Sequence, residues 1–324
     1  MNAAFLHPVV MIASALIGLA AGSMLGMGHQ DSVWIEPFLM AMLFLVFLSV
    51  DFSKVRSTFK DIRFLSTALL INFVWTPIFA FILATVFFPN SIDAKTGLIM
   101  LLVTPCTDWY LVFTGIAKGN VELSSTLLPI NLVLQIVLLP AYILLFTGRD
   151  AEFDVVSMLI DTAVVLVVPL LAAVAVRAAS IFSSAASGFK SFLDARTDDI
   201  QLMFLCVAIC VMFAAESVSL MGSLDILAWT IVPLMLFFLV NRFLSLGLAR
   251  AEKLSFDDGT SLMFTSLARN SPLALAIAVA AFPDSPLIML MLAIGPLIEL
   301  PVLSLIASHR LSSKQKYTAA NRLG

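Results

Sequence analysis

Charge is scarce in this chain. Asp, Glu, Lys and Arg make up 12% of its 324 residues, against 61% hydrophobic residues and a mean hydropathy of +1.06. A soluble domain of this length would lack the polar surface to cover its core, so an integral membrane protein is expected. The net charge of −3 is too small and of the wrong sign for a nucleic-acid surface. No Gly-rich phosphate loop of the Walker type occurs, so a pump would have to draw on an ion gradient or a partner protein rather than ATP. The three cysteines, Cys106, Cys206 and Cys210, lie inside apolar segments, which argues against a disulfide framework. The three histidines, His7, His29 and His309, stand at segment ends and form no ligand cluster, so no metal site and no cofactor are expected. No Lys or Arg precedes the first apolar stretch. Ala21-Gly22-Ser23 is small enough for cleavage, but the segment reads as a span and not as a signal peptide.

A spanning helix needs about 20 apolar residues. Ten such runs occur, at 8–27, 33–50, 63–88, 96–118, 121–146, 155–179, 199–219, 225–249, 258–282 and 285–308. Most connections are short; the basic stretch Asp51–Arg63 and the Ser-rich stretch Ser180–Asp198 are longer. Thr147–Asp154 divides five spans from five. The expected units are a first repeat at 1–146, a second at 155–308 and a cytoplasmic tail at 309–324.

Basic residues set the orientation. Fourteen of the 18 Lys and Arg fall on the side that carries both termini and the loops after the even-numbered spans. The opposite side holds Lys95 and Arg149, while Arg242 and Arg269 fall within spans. The positive-inside rule places both termini in the cytoplasm of a plasma (inner) membrane protein.

Two runs are interrupted at mid-membrane depth, one by Thr104-Pro105-Cys106-Thr107-Asp108-Trp109-Tyr110 and the other by Thr265-Ser266-Leu267-Ala268-Arg269-Asn270-Ser271-Pro272. They are spans 4 and 9, in corresponding places of the two halves. Each is followed after a short turn by a proline-rich span, with Pro129 and Pro140 in one and Pro296 and Pro301 in the other. Five spans per half is an odd number, so the second copy enters the membrane inverted. The expected fold is an all-α membrane protein of ten transmembrane helices in two inverted five-helix repeats. Hydrocarbon offers nothing to satisfy freed backbone groups, so such breaks line a protein cavity, and a matched pair of them points to a transporter's central site.

The polar residues inside the spans follow from this. A lone charge at the bilayer centre costs at least ~2.5–3.5 kcal/mol. If spans 4 and 9 cross at their breaks, Asp108 and Arg269 can neutralise each other, either as a structural pair or with a direct role in coupling or substrate binding. Cys106 stands at a break loosened by Pro105, where a thiol can bind a soft, thiophilic species; the alternative is a small buried hydrophobe. Cys206 and Cys210, four apart, read as packing. Asn131 and Gln135 share one face of span 5, as Asn72 and Thr76 do in span 3, and suit either interhelical hydrogen bonds or oxygens offered to a cation or substrate. Glu299, deep in span 10, is a candidate proton or cation carrier. Asp161, Glu216 and Arg242 are weaker candidates near interfaces. Asp198-Asp199 and Asp257-Asp258 precede spans 7 and 9 and read as helix starts.

With Pro105-Cys106, the run Thr265 to Leu275 and Gly295-Pro296-Leu297-Ile298-Glu299-Leu300-Pro301, the chain resembles the bile acid:sodium symporter and arsenical-resistance permease superfamily over nearly its whole length. The resemblance implies a core domain of spans 3–5 and 8–10 with crossed broken helices, and a panel domain of spans 1, 2, 6 and 7 that moves against it. The span-4 cysteine looks like the arsenical-resistance branch, where it is needed for exporting arsenite or antimonite. In span 9, Asn270 matches one of that branch's tandem asparagines, Arg269 replaces the other, and Pro272 stands where its essential glutamate would be. Pro105 replaces that branch's arginine before the cysteine. Asp108 or Glu299 is then expected to take over coupling, with Arg269 returning the missing positive charge. Thr265 and Arg269 occupy the places of the glutamate and glutamine of the bile-acid branch's sodium sites.

The reading is a secondary transporter, not an enzyme: no paired acids or His-Glu arrangement suited to intramembrane catalysis occurs. The expected substrate contacts are Cys106, Thr107, Asn131, Arg269 and Asn270, and the expected ion-coupling residues are Asp108, Gln135, Thr265 and Glu299. The expected partners are a metalloid or other small molecule, H+ or Na+, and the lipid bilayer, with no nucleic acid. Ion-coupled export of arsenite, antimonite or a related thiophilic solute leads; sodium- or proton-coupled symport of an organic anion is the alternative.

Overall fold

A computed structural model describes residues 3–27, 34–49, 61–107, 109–147, 155–215, 217–222 and 224–323. Asp108 and Glu216 lie outside these residues, as does most of the basic loop after the second helix. Among the described residues the chain is helical and forms no sheet. Helix occupies each of the ten apolar runs. Four stretches are long and apolar enough by themselves to cross a bilayer: Ile62–Phe87, Val121–Phe146, Leu224–Ala251 and Pro286–Lys314. A bent pair, Ser187–Thr197 and Asp199–Ala215, would make a fifth.

The first pair of helices is α1 (Ala3–Leu25) and α2 (Ile35–Ser49). They pack against α8 (Val155–Phe182) and α9 (Ser184–Ala215). Small residues permit the closest of these contacts. A Cβ on Gly18 would lie 2.2 Å from the Cys210 carbonyl oxygen, and one on Gly22 would lie 2.1 Å from that of Ala214. This is a Gly-x-x-x-Gly face, which lets helix backbones touch where lipid supplies no hydrophobic drive. Cys206 and Cys210 sit beside it, as the packing reading expects. The Ser-rich stretch expected as a connection is instead the helical first arm of α9. It contains few helix breakers, and its helix breaks only at Arg196 (φ −130°, ψ 16°), where the two arms meet at 67°. Phe189 and Phe192 are exposed on that first arm, alongside Lys190 and Asp194, in the manner of an interfacial helix. Asp199 then opens the second arm.

A second group of helices carries the breaks. Span 3 is one continuous rod made of α3 (Ile62–Leu70), a π turn (Ile71–Trp75) and α4 (Thr76–Phe87). Its cause is Pro77, which cannot donate to the carbonyl of Phe73 and whose ring crowds it. That freed carbonyl accepts a 2.7 Å bond from the Tyr142 hydroxyl on the next long helix, α7 (Val121–Thr147). Span 4 is split into α5 (Ile92–Val103) and α6 (Trp109–Ile116). After α10 (Ser217–Gly222) and α11 (Leu224–Trp229) comes α12 (Ile231–Ala251). Span 9 is split into α13 (Phe256–Leu267) and α14 (Ser271–Ala281), and α15 (Pro286–Leu323) ends the chain.

Helix starts are capped as the sequence leads one to expect. Ser91 accepts from the Ala94 N–H at 3.2 Å, and Ser255 from the Asp258 N–H at 3.0 Å. Asp257 and Asp258 fall in the first turn of α13, in keeping with the helix dipole. They also tie elements together: Asp258 accepts from the Asn120 amide at 2.8 Å, and Asp257 pairs with Lys314 at 2.6 Å. The expected tail at 309–324 is a continuation of α15, held there by Lys314 and by Arg310, which donates to the Thr260 hydroxyl at 2.8 Å. The two packing groups meet where α14 touches α2 and α8, and where α1 touches α15.

Candidate substrate and coupling site at the helix crossing

The two breaks meet. At Thr104 the backbone leaves the helix for an extended conformation (φ −98°, ψ 100°), and at Ala268 it does the same (φ −73°, ψ 137°). The Cys106 N–H donates to the Ala268 carbonyl at 3.0 Å, and the Asn270 N–H donates to the Thr104 carbonyl at 2.7 Å. Pro105 and Arg269 therefore face each other as an antiparallel bridge. The hydrogen bonds run between their neighbours, so this is a non-hydrogen-bonded pair and a proline fits without losing a ladder bond. Each unwound strand satisfies the other's backbone, as membrane burial requires.

Arg269 also has an N–H that points away from the bridge. The carboxylate of Glu299 accepts it at 2.9 Å, and both residues are buried. Pro105 has no N–H, so the opposite strand needs no such acceptor. The close fit of α15 here rests on Gly295, where a Cβ would come within 2.5 Å of Leu101 and 2.7 Å of the Ser271 hydroxyl.

The guanidinium of Arg269 turns towards the carbonyl ends of two half-helices. It donates to Leu102 at the end of α5 at 3.0 Å, and to Thr265, Ser266 and Leu267 at the end of α13 at 3.4, 2.6 and 3.3 Å. It also donates to the side-chain oxygen of Asn72, in the π turn, at 3.2 Å, and stands 5.2 Å from the centre of the Phe237 ring. The acidic end of the expected Asp108–Arg269 pair lies outside the described residues.

The remaining expected residues gather around this point. Asn270 caps α14 by accepting from the Leu273 N–H at 3.2 Å, and its amide donates to the Thr107 hydroxyl at 3.3 Å. Asn131 donates to the Thr265 hydroxyl at 3.5 Å, which links α7 to the crossing. Gln135 is buried one turn further along α7. Neither of its amide atoms, nor the Asn131 oxygen, finds a hydrogen-bond partner among the described residues, and the same holds for the Thr76 hydroxyl. Such groups are rare in a native interior and call for a partner of some kind, such as water or an ion.

A narrow cavity with about 20 Å³ of water-accessible space lies between the crossing and the first packing group. Cys106, Trp109, Arg269, Asn270 and Pro272 form one wall, and Met42 of α2 with Gln201, Leu202 and Leu205 of α9 form the other. Gln201 was not singled out from the sequence. It is a lone amide near the start of a span, where solvation is the default, and the position of α9 against the crossing is what gives it a role. Its buried amide nitrogen has no hydrogen-bond partner among the described residues.

Residues 36–223 match the profile of the Sodium Bile acid symporter family. The arsenical-resistance protein Acr3 of Corynebacterium glutamicum is 25% identical over 276 residues, which is 82% of this chain and 74% of that protein. Acr3 of Alkaliphilus metalliredigens is 21% identical over 286 residues, covering 85% and 80%. The protein YbaS of Bacillus subtilis is 25% identical over 163 residues, or 50% of this chain and 52% of that one.

Proposed function

The chain belongs to the Sodium Bile acid symporter family, a family of membrane transporters, and from that premise we propose that it exports arsenite, antimonite or a related thiophilic solute by ion-coupled alternating access. The observation that carries this reading is the placement of Cys106. Its thiol stands on an unwound strand at the crossing and lines the cavity between two packing groups of helices. Thiolates select soft metals and metalloids. Thr107 and Asn270 supply hydroxyl and amide groups beside it, and Gln201 supplies an amide from the opposite wall.

In this reading the chain crosses the plasma membrane ten times, as inverted repeats at 1–146 and 155–308 followed by the tail at 309–324, with both termini cytoplasmic. The packing of α1, α2, α8 and α9 as one group supports a panel that moves against a core holding the crossing. Substrate bound at Cys106 is then exposed alternately to either side. Glu299 is the described carboxylate at the crossing, and with Asp108 it is the proposed coupling group. Asn131 and Thr265, hydrogen-bonded to each other, and Gln135, one turn further along α7, are the remaining proposed coupling residues.

Resistance conferred on an arsenite-sensitive strain tests the proposal. Expression of the chain is expected to restore growth in arsenite, and Cys106→Ser is expected to abolish that gain at unchanged protein level. Equal sensitivity with and without the protein would dismiss the metalloid. Family membership favours a second reading, coupled symport of an organic anion. Sodium-dependent uptake of an anion into proteoliposomes would establish it.

A further inference from the structure

We propose that the guanidinium of Arg269 is a tethered monovalent cation, filling for good a cation site formed where the carbonyl ends of α5 and α13 converge. Helix C-termini carry partial negative charge and carbonyls without partners, and two of them meet here inside the protein. Four backbone carbonyls and the Asn72 side-chain oxygen surround three nitrogens of one planar group at 2.6–3.4 Å. The face of Phe237 lies 5.2 Å from its centre, and the side chain is shut off from solvent. A shell made of oxygens and one aromatic face is what a small desolvated cation requires. A fork with fixed donors fills it without a dissociable ion.

The crossing therefore holds its positive charge in every step of a transport cycle, and no sodium ion is needed there. The hydrogen bonds of the guanidinium go to carbonyls and Asn72, which leaves it little capacity to bind a solute. This inference deepens the reading of the crossing as a transporter's centre, but its main test involves no solute. A failed arsenite assay would leave it standing.

The experiment is chemical rescue of Arg269→Ala, using thermal unfolding of the full-length protein in detergent. Removing a partner from a buried charged cluster is strongly destabilising, so the midpoint of the variant is expected to fall by roughly ten degrees. Millimolar guanidinium, far below its denaturing range, is expected to restore much of that loss, and sodium a smaller part, compared with choline at equal ionic strength. The wild-type protein is expected to respond to none of them. A variant as stable as the wild type, or one equally destabilised in all three salts, overturns the proposal. If Arg269→Ala does not accumulate, Arg269→Lys and Arg269→Gln decide. The proposal expects the charged variant to fold and the neutral one to fail or to require an added cation. Equal behaviour of the two, folded or unfolded, overturns it.

Discussion

Glu299 joins a backbone role seen in the structure to the coupling role proposed for it. Its carboxylate accepts the Arg269 N–H, and both residues are buried. Glu299→Leu orphans that donor and is expected to lower stability by about 1–3 kcal/mol, read as thermal unfolding in detergent. Glu299→Gln keeps an accepting oxygen and removes the charge. It is expected to fold close to the wild type yet lose ion-coupled transport in proteoliposomes, and full activity in that variant would remove Glu299 from coupling. Gln201→Leu, on the facing wall of the cavity, is expected to raise the KM for solute several-fold without altering stability. The residues at the breaks were legible in the chain because proline, charge and amide side chains are costly at bilayer depth unless they line something. The partners of Arg269 were not. Four of its five acceptors are backbone carbonyls, which carry no residue signature, and the fifth, Asn72, reads as an ordinary interhelical amide until the π turn aims it.

The elements are less uniform than the hydropathy suggests, and each irregularity has a local cause. Spans 4 and 9 break at Thr104 and Ala268, as Pro105 and the polar run around Arg269 lead one to expect. The π turn before Pro77 leaves no mark in hydropathy, since its residues would suit a regular helix equally well. Its repair is specific, and Tyr142→Phe is expected to cost about 1 kcal/mol by stranding the Phe73 carbonyl. The contact of α1 with α9 depends on the absence of side-chain atoms. Gly22→Val would press a Cβ into the Ala214 backbone, which cannot yield as a flexible side chain would. A loss of about 1–3 kcal/mol is expected on thermal unfolding, and Gly22→Ala is expected to show most of it, since the Cβ itself makes the clash. The serines of the first arm of α9 suggest a connection from sequence alone, but the arm is helical. Its exposed Phe189 and Phe192 instead suit a surface where phenyl groups meet headgroups.

For the whole molecule, charge distribution and packing lead to separate tests. The expected topology gathers 14 basic residues on one side, which predicts cytoplasmic termini. Alkaline phosphatase fused after Gly148 is expected to be active, and fused after Lys118 inactive; the reverse pattern would invert the protein in its membrane. The division into two packing groups was partly legible, since the two interrupted runs hold corresponding places along the chain. Which helices embrace which depended on contacts such as Gly18 with Cys210 that no apolar run announces. At the crossing, Pro105 carries no amide hydrogen, whereas its counterpart Arg269 does and hands it to an acid. The two strands of the knot are thus unequal: one has no amide donor to satisfy there, the other is fastened by a side chain from a third helix, α15. Losing that one side chain would therefore loosen one strand of the knot and leave the other as it is.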